Sequence, residues 1–395
     1  MTGQRAVVIA SRIYPPEPAA ASFRLAALVR ALVAGGSSVV VLTSRPPQQF
    51  RADLDAPGDV RRAPVLRDAQ GYVRGYGQYL SFDLPLAWRL LVLRRPAFVI
   101  VEPPPTTGLV VRTVCAFRRI PYVYFAADLW SDALGSTTTP RFVRSVVRAM
   151  ERAAIRGAQL VFSVSDDVTE RLAEWGFTSG VTTVGNGVDV SEFGPTGDVV
   201  DLGVPYLLYA GTASEVHGAA IFVEAFGQVL KEFPSATLVF IGQGADRAVL
   251  EQAAAELPPG SVRFEPRVSS AEVACWIRGA AATLASVHPE GYVRAFPTKM
   301  YASVACGTRV IYAGAGPGAP FARDNGVGWA AAYEAREVAD AMRQALSTPQ
   351  SAEDRQRIAR WAQATLSLDA VAGRAVAALR ADTRLAEHLS TGAPE

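Results

Sequence analysis

At 395 residues, with half of them hydrophobic and 19% charged, the chain has the composition of a folded protein of two moderate domains and not of a disordered one. Its net charge of +2 hides an imbalance: residues 1–190 carry 22 arginines, no lysine and 15 acids, a charge of +7, which leaves −5 for the remainder. No run reaches the roughly 18 apolar residues of a spanning helix, because the nearest candidate, residues 85–101, is broken by Arg89, Arg94 and Arg95.

The pattern opens with a buried strand at 6–10, a Pro-rich loop at 11–21 and a helix at 22–34 that Gly35 and Gly36 end. A strand at 38–43 completes a βαβ unit, which implies a right-handed crossover in a parallel sheet. Further strands are predicted at 97–101, 122–126 and 160–164, separated by amphipathic helices. Residues 189–205, rich in Gly, Pro and Asp, read as a linker. The alternation then restarts, with strands at 206–210, 237–241, 262–265, 282–286 and 309–312 and helices at 220–233 and 246–256. Near-continuous apolar strands alternating with helices predict an α/β protein of two Rossmann-like domains, at 1–190 and 203–365. The tail from about 352 is helical, and its last part, about 375–395, is expected to pack back on the first domain. A first strand so close to residue 1 leaves no room for a secretory leader, so a cytoplasmic location is expected.

Cys115, Cys275 and Cys306 lie far apart in apolar surroundings, and His217, His288 and His388 show no ligand spacing. Neither a disulfide framework nor a metal site is expected, and no cofactor. Only two lysines occur, Lys231 and Lys299.

Four segments carry a family pattern. Tyr14-Pro15-Pro16-Glu17-Pro18 runs into Ser22–Arg24 after the first strand. Gly185-Asn186-Gly187-Val188-Asp189, with Phe193 and Pro195, stands at the entry to the linker. Tyr209-Ala210-Gly211-Thr212 and Ile241-Gly242-Gln243-Gly244 are glycine-bearing loops after strands. Phe296-Pro297-Thr298-Lys299-Met300-Tyr301 leads to Ala305-Cys306-Gly307-Thr308. In this order and spacing they resemble the retaining glycosyltransferases of family 4, in the branch that builds surface polysaccharides and O-antigens.

The resemblance implies a GT-B fold, two Rossmann-like domains facing each other across a cleft. It also implies a nucleotide-diphosphate sugar as donor and a sugar- or lipid-linked acceptor, or a secondary metabolite. Donor-side candidates are Gly211, Thr212, Gly242, Gly244, Arg267, Glu290, Arg294, Pro297, Thr298 and Lys299; acceptor-side candidates are Pro16, Glu17 and Arg24. The physical reading agrees, because backbone N–H groups of a glycine loop at a helix N-terminus, with a nearby cation, stabilise a diphosphate leaving group. Lys299 reads as that cation or as an ordinary solvated surface residue. Asp128, in Ala127-Asp128-Leu129-Trp130, reads as an acceptor base at a strand end or as a helix N-cap. Glu102, before Pro103-Pro104-Pro105, is the second catalytic candidate. Transfer with retention and without metal is expected, and no protein nucleophile is named.

The sequence departs from the family in one region. Two acids eight positions apart are usual there, and Arg294 and Ala302 replace both, with Glu290 nearby. The loop after Gly211 carries Ser214, Glu215 and His217 in place of the usual Arg and Lys. A nucleotide-sugar epimerase and a non-catalytic scaffold of the same fold are the alternatives.

Arg144, Arg148, Arg152 and Arg156 recur every four residues and form one helix ridge, and residues 72–95 mix Tyr76, Tyr79, Phe82, Trp88 and leucines with arginines. Such surface suggests peripheral contact with anionic lipid on the inner face of the membrane. Nucleic acid is not expected, since no known reader motif is present.

Overall fold

The computed structural model describes residues 5–389 apart from 51–55, 69–70, 72, 74, 135–138, 215 and 291–293. The chain divides into two compact units, Met1–Gly187 with Leu368–Glu395, and Val188–Ser367.

The first unit holds seven strands: β1 (Val7–Ala10), β2 (Val39–Ser44), β3 (Asp59–Ala63), β4 (Val99–Val101), β5 (Tyr122–Ala126), β6 (Leu160–Ser163) and β7 (Val181–Thr183). They form one parallel sheet in the order β3-β2-β1-β4-β5-β6-β7. The central strands, VVIA, VIV, YVYFA and LVFS, are buried throughout because helices cover both faces. The helices Tyr76–Val92, Pro105–Arg118 and Arg141–Gly157 lie on one face. On the other, Ala20–Ala34 packs against Leu368–Ala381 through Ala27, Leu368 and Ala372. Burial of each large side chain in such a layer contributes about 1.5–3 kcal/mol. The sequence reading misses β3 (DVRRA) and β7 (VTT) because both are edge strands, only part-buried and not apolar.

The second unit holds β8 (Tyr206–Ala210), β9 (Thr237–Ile241), β10 (Val262–Glu265), β11 (Ala282–Ser286), β12 (Val310–Ala313) and β13 (Gly328–Ala331). The sheet is again parallel, in the order β10-β9-β8-β11-β12-β13. β13 (GWAA), another part-buried edge, is likewise not predicted.

Two domain expectations need correcting. The stretch read as a linker belongs to the second unit from Val188 on, since the Val188 N–H donates to the Leu366 carbonyl at 2.8 Å and Phe193 packs into the core beside Tyr301 and Val304. The return to the first unit begins at Leu368, not near 375, while the helix Ala352–Leu366 stays with the second unit, where Ile358 and Ala362 are buried. Residues 390–395 lie outside the described residues.

In both sheets the strand order reverses once, between β1 and β4 and between β8 and β11. Ligands of open α/β sheets bind at the carboxyl ends of the strands at such a reversal.

Candidate active site

In the second unit, β8 ends at Ala210 and the chain turns at Gly211, whose φ is +136°. Lys299, the first residue of the helix Lys299–Ala305, reaches under this turn. A Cβ on residue 211 would stand 3.2 Å from the lysine Cε. The Nζ lies 3.6 Å from the centroid of the Tyr209 ring, a cation–π contact. It is buried and has no hydrogen-bond partner. Burial lowers the Lys299 pKa to about 7. A solvated surface lysine is therefore not what the fold makes of this residue.

The loop that follows ends beside β11. The His217 Nδ1 and the Ser214 hydroxyl are 2.7 Å apart, and the Ser286 hydroxyl donates to the His217 carbonyl at 2.6 Å. Burial, and then the charge of Lys299, lowers the His217 pKa to about 4, so this imidazole is neutral at pH 7. The His288 N–H donates to the Val216 carbonyl at 2.9 Å, and the His288 ring meets Tyr333 edge-on at 5.0 Å. His217 and His288 have no role legible in the sequence, because residues 71 positions apart carry no local spacing signal; the return of β11 beside β8 joins their segments.

Gly242 and Gly244 have a packing explanation that needs no ligand. A Cβ at Gly242 would fall 2.4 Å from the Gly211 carbonyl oxygen, and one at Gly244 would fall 1.7 Å from that of Ala213. The two loops are joined by hydrogen bonds from Gly211 N–H to the Ile241 carbonyl at 2.9 Å and from Ala213 N–H to the Gln243 carbonyl at 3.0 Å. Thr212 is exposed, and its carbonyl accepts from the Tyr209 hydroxyl at 3.1 Å. Pro297 is buried, Thr298 is exposed, and Arg294 is half-buried. Glu290 is exposed and its N–H donates to His288 Nδ1 at 3.2 Å. Arg267 is exposed just beyond β10. Ala302 sits among apolar side chains that include Phe193, with no carboxylate at its position. Glu215 lies outside the described residues.

In the first unit, Arg24 on the helix Ala20–Ala34 is the centre of a buried cluster. Its Nη2 donates to Glu102 Oε1 at 2.6 Å, its Nη1 donates to Asn186 Oδ1, and its guanidinium lies 4.5 Å from the Phe125 ring centroid. The family motif around Asn186 has a local cause here. Gly185 and Gly187 have φ of +94° and +86°, and their Cβ atoms would strike Arg374 and Leu368, so this turn excludes side chains on both sides of Asn186. Glu102 thus spends one oxygen on Arg24.

Asp128 is exposed by area but ringed by protein, and this desolvation raises its pKa to about 6; Arg24 opposes the rise and Glu102 adds to it. The capping alternative for Asp128 fails. The N-cap of the short helix Trp130–Ala133 is Leu129, and the helix N–H groups of Trp130 and Ser131 donate instead to Glu151, at 2.8 and 3.2 Å. Asp128 is left with no capping duty.

Glu17 faces away from any such freedom: Arg67 donates to both its oxygens, at 3.2 and 2.9 Å. Pro16, half-buried, follows a cis peptide bond with Pro15. Arg12 beyond β1, which the sequence reading passed over, lies 4.9 Å from the Tyr79 ring centroid and 5.8 Å from that of Trp130. Burial lowers its pKa, and the charges of Glu102 and Asp83 work against that.

Two parallel sheets with reversing strand order, each carrying charged groups at its reversal point, define the GT-B class. Residues 20–187 match the glycosyl transferase 4-like domain, and residues 204–348 match the glycosyl transferases group 1 domain. The chain is a GT-B glycosyltransferase. No curated protein matches it. Among solved structures it is similar to a sucrose-phosphate synthase from Thermosynechococcus elongatus, at 18% identity over 95% of this chain and 98% of that one, with a TM-score of 0.75. It is similar to Anabaena HepE in complex with UDP, at 14% identity over 95% and 99% of the two chains and a TM-score of 0.70. It is also similar to WaaG, a glycosyltransferase involved in lipopolysaccharide biosynthesis, at 14% identity over 98% and 100% and a TM-score of 0.63.

Proposed function

We propose that the chain transfers a sugar from a nucleotide-diphosphate sugar to an acceptor hydroxyl, with retention and without a metal ion. The observation that carries this reading is the buried Lys299 ammonium under Gly211, a cation that rests on the Tyr209 ring and has no hydrogen-bond partner. An anionic phosphate is the ligand that would complete it. The donor then binds the second unit, and Lys299 meets the charge that develops as the bond from the anomeric carbon to the phosphate oxygen breaks. The acceptor binds the first unit, where Asp128 accepts the proton of its hydroxyl as that oxygen attacks on the face from which the phosphate departs, the geometry that retention without a protein nucleophile requires. HepE was crystallised with UDP and with UDP-glucose, which supports a donor of this chemistry. A lipid-linked saccharide or a secondary metabolite is the acceptor class.

At the position where the family resemblance expects a ribose-binding acid, Ala302 offers none. The loss costs least with a donor whose nucleoside lacks one hydroxyl, so a deoxythymidine diphosphate sugar is the preferred donor. Calorimetry with uridine and deoxythymidine diphosphates tests the preference, and tighter binding of the uridine form would overturn it. Donor hydrolysis without acceptor, in the parent and in Lys299→Ala, tests the activity itself. The reading requires hydrolysis that the substitution abolishes; a chain that binds no nucleotide sugar is the non-catalytic scaffold instead.

A further inference from the structure

The helix Tyr76–Val92 is apolar on two opposite faces. Phe82, Leu86 and Leu90, four residues apart, are buried in the core shared with the helix Pro105–Arg118. Leu80, Leu84 and Trp88, also four apart, point the other way and are 52%, 65% and 67% exposed. Val92 continues this stripe at 60%, and Phe117, in the last turn of the helix Pro105–Arg118, is 81% exposed. A helix on the outside of a folded unit normally turns polar residues outward. Folding does not account for this stripe, and contiguous apolar surface of this kind marks an interaction site.

The surrounding charges select the partner. Arg118 donates to the Leu90 carbonyl and Arg95 to the Arg119 carbonyl, at 2.6 Å for the second, which ties the two helix ends together. Arg94, Arg95 and Arg119 thereby rim the end of the stripe, and all three are exposed. Between residues 84 and 127 the sole acid is Glu102, which is buried against Arg24. Beside the rim, a hollow lined by Arg95 and Arg119 adds Arg384 and His388 against one acid, Glu387. A second copy docking through the same face would set arginine against arginine. A bilayer with anionic headgroups is complementary to both parts of the surface, taking the apolar side chains into the acyl boundary and the guanidinium groups at the phosphates. Among the described residues no helix is long and apolar enough to cross a membrane, so the contact is peripheral.

The arginine ridge singled out in the sequence is a poorer candidate. Arg148 pairs with Asp132 at 2.9 Å, and Arg152 donates to the Trp175 carbonyl at 2.9 Å, so both hold their helix to its own unit.

We propose that the outward face of the helix Tyr76–Val92, with Phe117 and the arginine rim, docks this chain on anionic lipid. The proposal does not depend on the sugar-transfer reading. The full chain is sedimented with vesicles of phosphatidylcholine, with and without phosphatidylglycerol, at low and high salt. Two variants accompany it: Leu84→Gln with Trp88→Gln and Val92→Gln, and Arg94→Glu with Arg95→Glu. All five positions are exposed, and circular dichroism verifies their folding. Binding should need phosphatidylglycerol, weaken with salt, and fall by about tenfold or more in each variant. Absence of binding by the parent, or equal binding by parent and variants, overturns the proposal. So does concentration-dependent dimerisation that the apolar variant abolishes, which would make the face a contact between copies.

Discussion

Arg24 and Glu102 form an ion pair 2.6 Å long with side chains only 3% and 5% exposed. Removing one partner leaves the other charge buried and unpaired, so Arg24→Met or Glu102→Gln should destabilise the first unit by about 3–5 kcal/mol. The double variant should lose less than the sum of the two. Chemical denaturation of the four proteins measures this coupling; additive losses would mean that the two side chains do not depend on each other.

Lys299 predicts a pH dependence of donor binding. Its pKa near 7 in the free protein arises from burial alone, and a bound diphosphate favours the charged form. Affinity for a nucleotide sugar should therefore be highest below pH 7 and weaken by up to about tenfold per pH unit above it, until the raised pKa of the complex is reached. The sign follows from proton uptake on binding. Calorimetry in buffers of different ionisation enthalpy reads that uptake directly, and Lys299→Met should bind weakly with a flat profile.

Asp128 predicts the acid side of the rate profile. As the base it works deprotonated, and its pKa in the free protein is raised to about 6, so kcat/KM should fall as pH drops through 6. Asp128→Asn should lower kcat by about 10²–10⁴ and remove this limb. A retained limb in the variant would place the base elsewhere.

Glu151 is fully buried and takes the N–H groups of Trp130 and Ser131, yet desolvation outweighs these bonds and raises its pKa to about 7. Glu151→Ala should cost about 2–4 kcal/mol, because two helix N–H groups lose their acceptor. A folded pKa above the ordinary value of 4.5 gives stability that is complete below about 4.5 and is lost as pH rises through 7. The Tm difference between parent and Glu151→Gln should shift in the variant's favour across that window. A constant difference would show that Glu151 does not titrate there.

Gly211 should tolerate no side chain without displacing Lys299, whose Cε would lie 3.2 Å from the new Cβ. Gly211→Ala, which also forces an L residue to a φ of +136°, is expected to lower Tm and to weaken nucleotide-sugar binding less than Lys299→Met does; unchanged affinity would show that the lysine adapts.

The sequence by itself determined that there are two parallel α/β units and where their central strands lie. Strands β5, β8, β9 and β11 were legible to the residue because strands covered on both faces must be built of apolar and β-branched runs, and the edge strand β10 because VRFE alternates apolar and charged residues. The edge strands β3, β7 and β13 were not, since an edge strand need bury little and so carries no such signature. The motifs located the strand ends around Gly211, Lys299, Asn186 and Asp128, but not what those side chains meet there. That Lys299 is buried without a hydrogen-bond partner, that Glu102 is bound to Arg24, that Glu151 relieves Asp128 of capping, and that His217 lies close enough to feel the lysine were decided only in three dimensions. Each depends on burial and on contacts between residues from 21 positions apart, as for Trp130 and Glu151, to 90, as for Tyr209 and Lys299. The same holds for the helix Tyr76–Val92. In one dimension its aromatic residues and leucines read together as a basic, lipid-facing surface, and only packing shows that Phe82, Leu86 and Leu90 belong to the core.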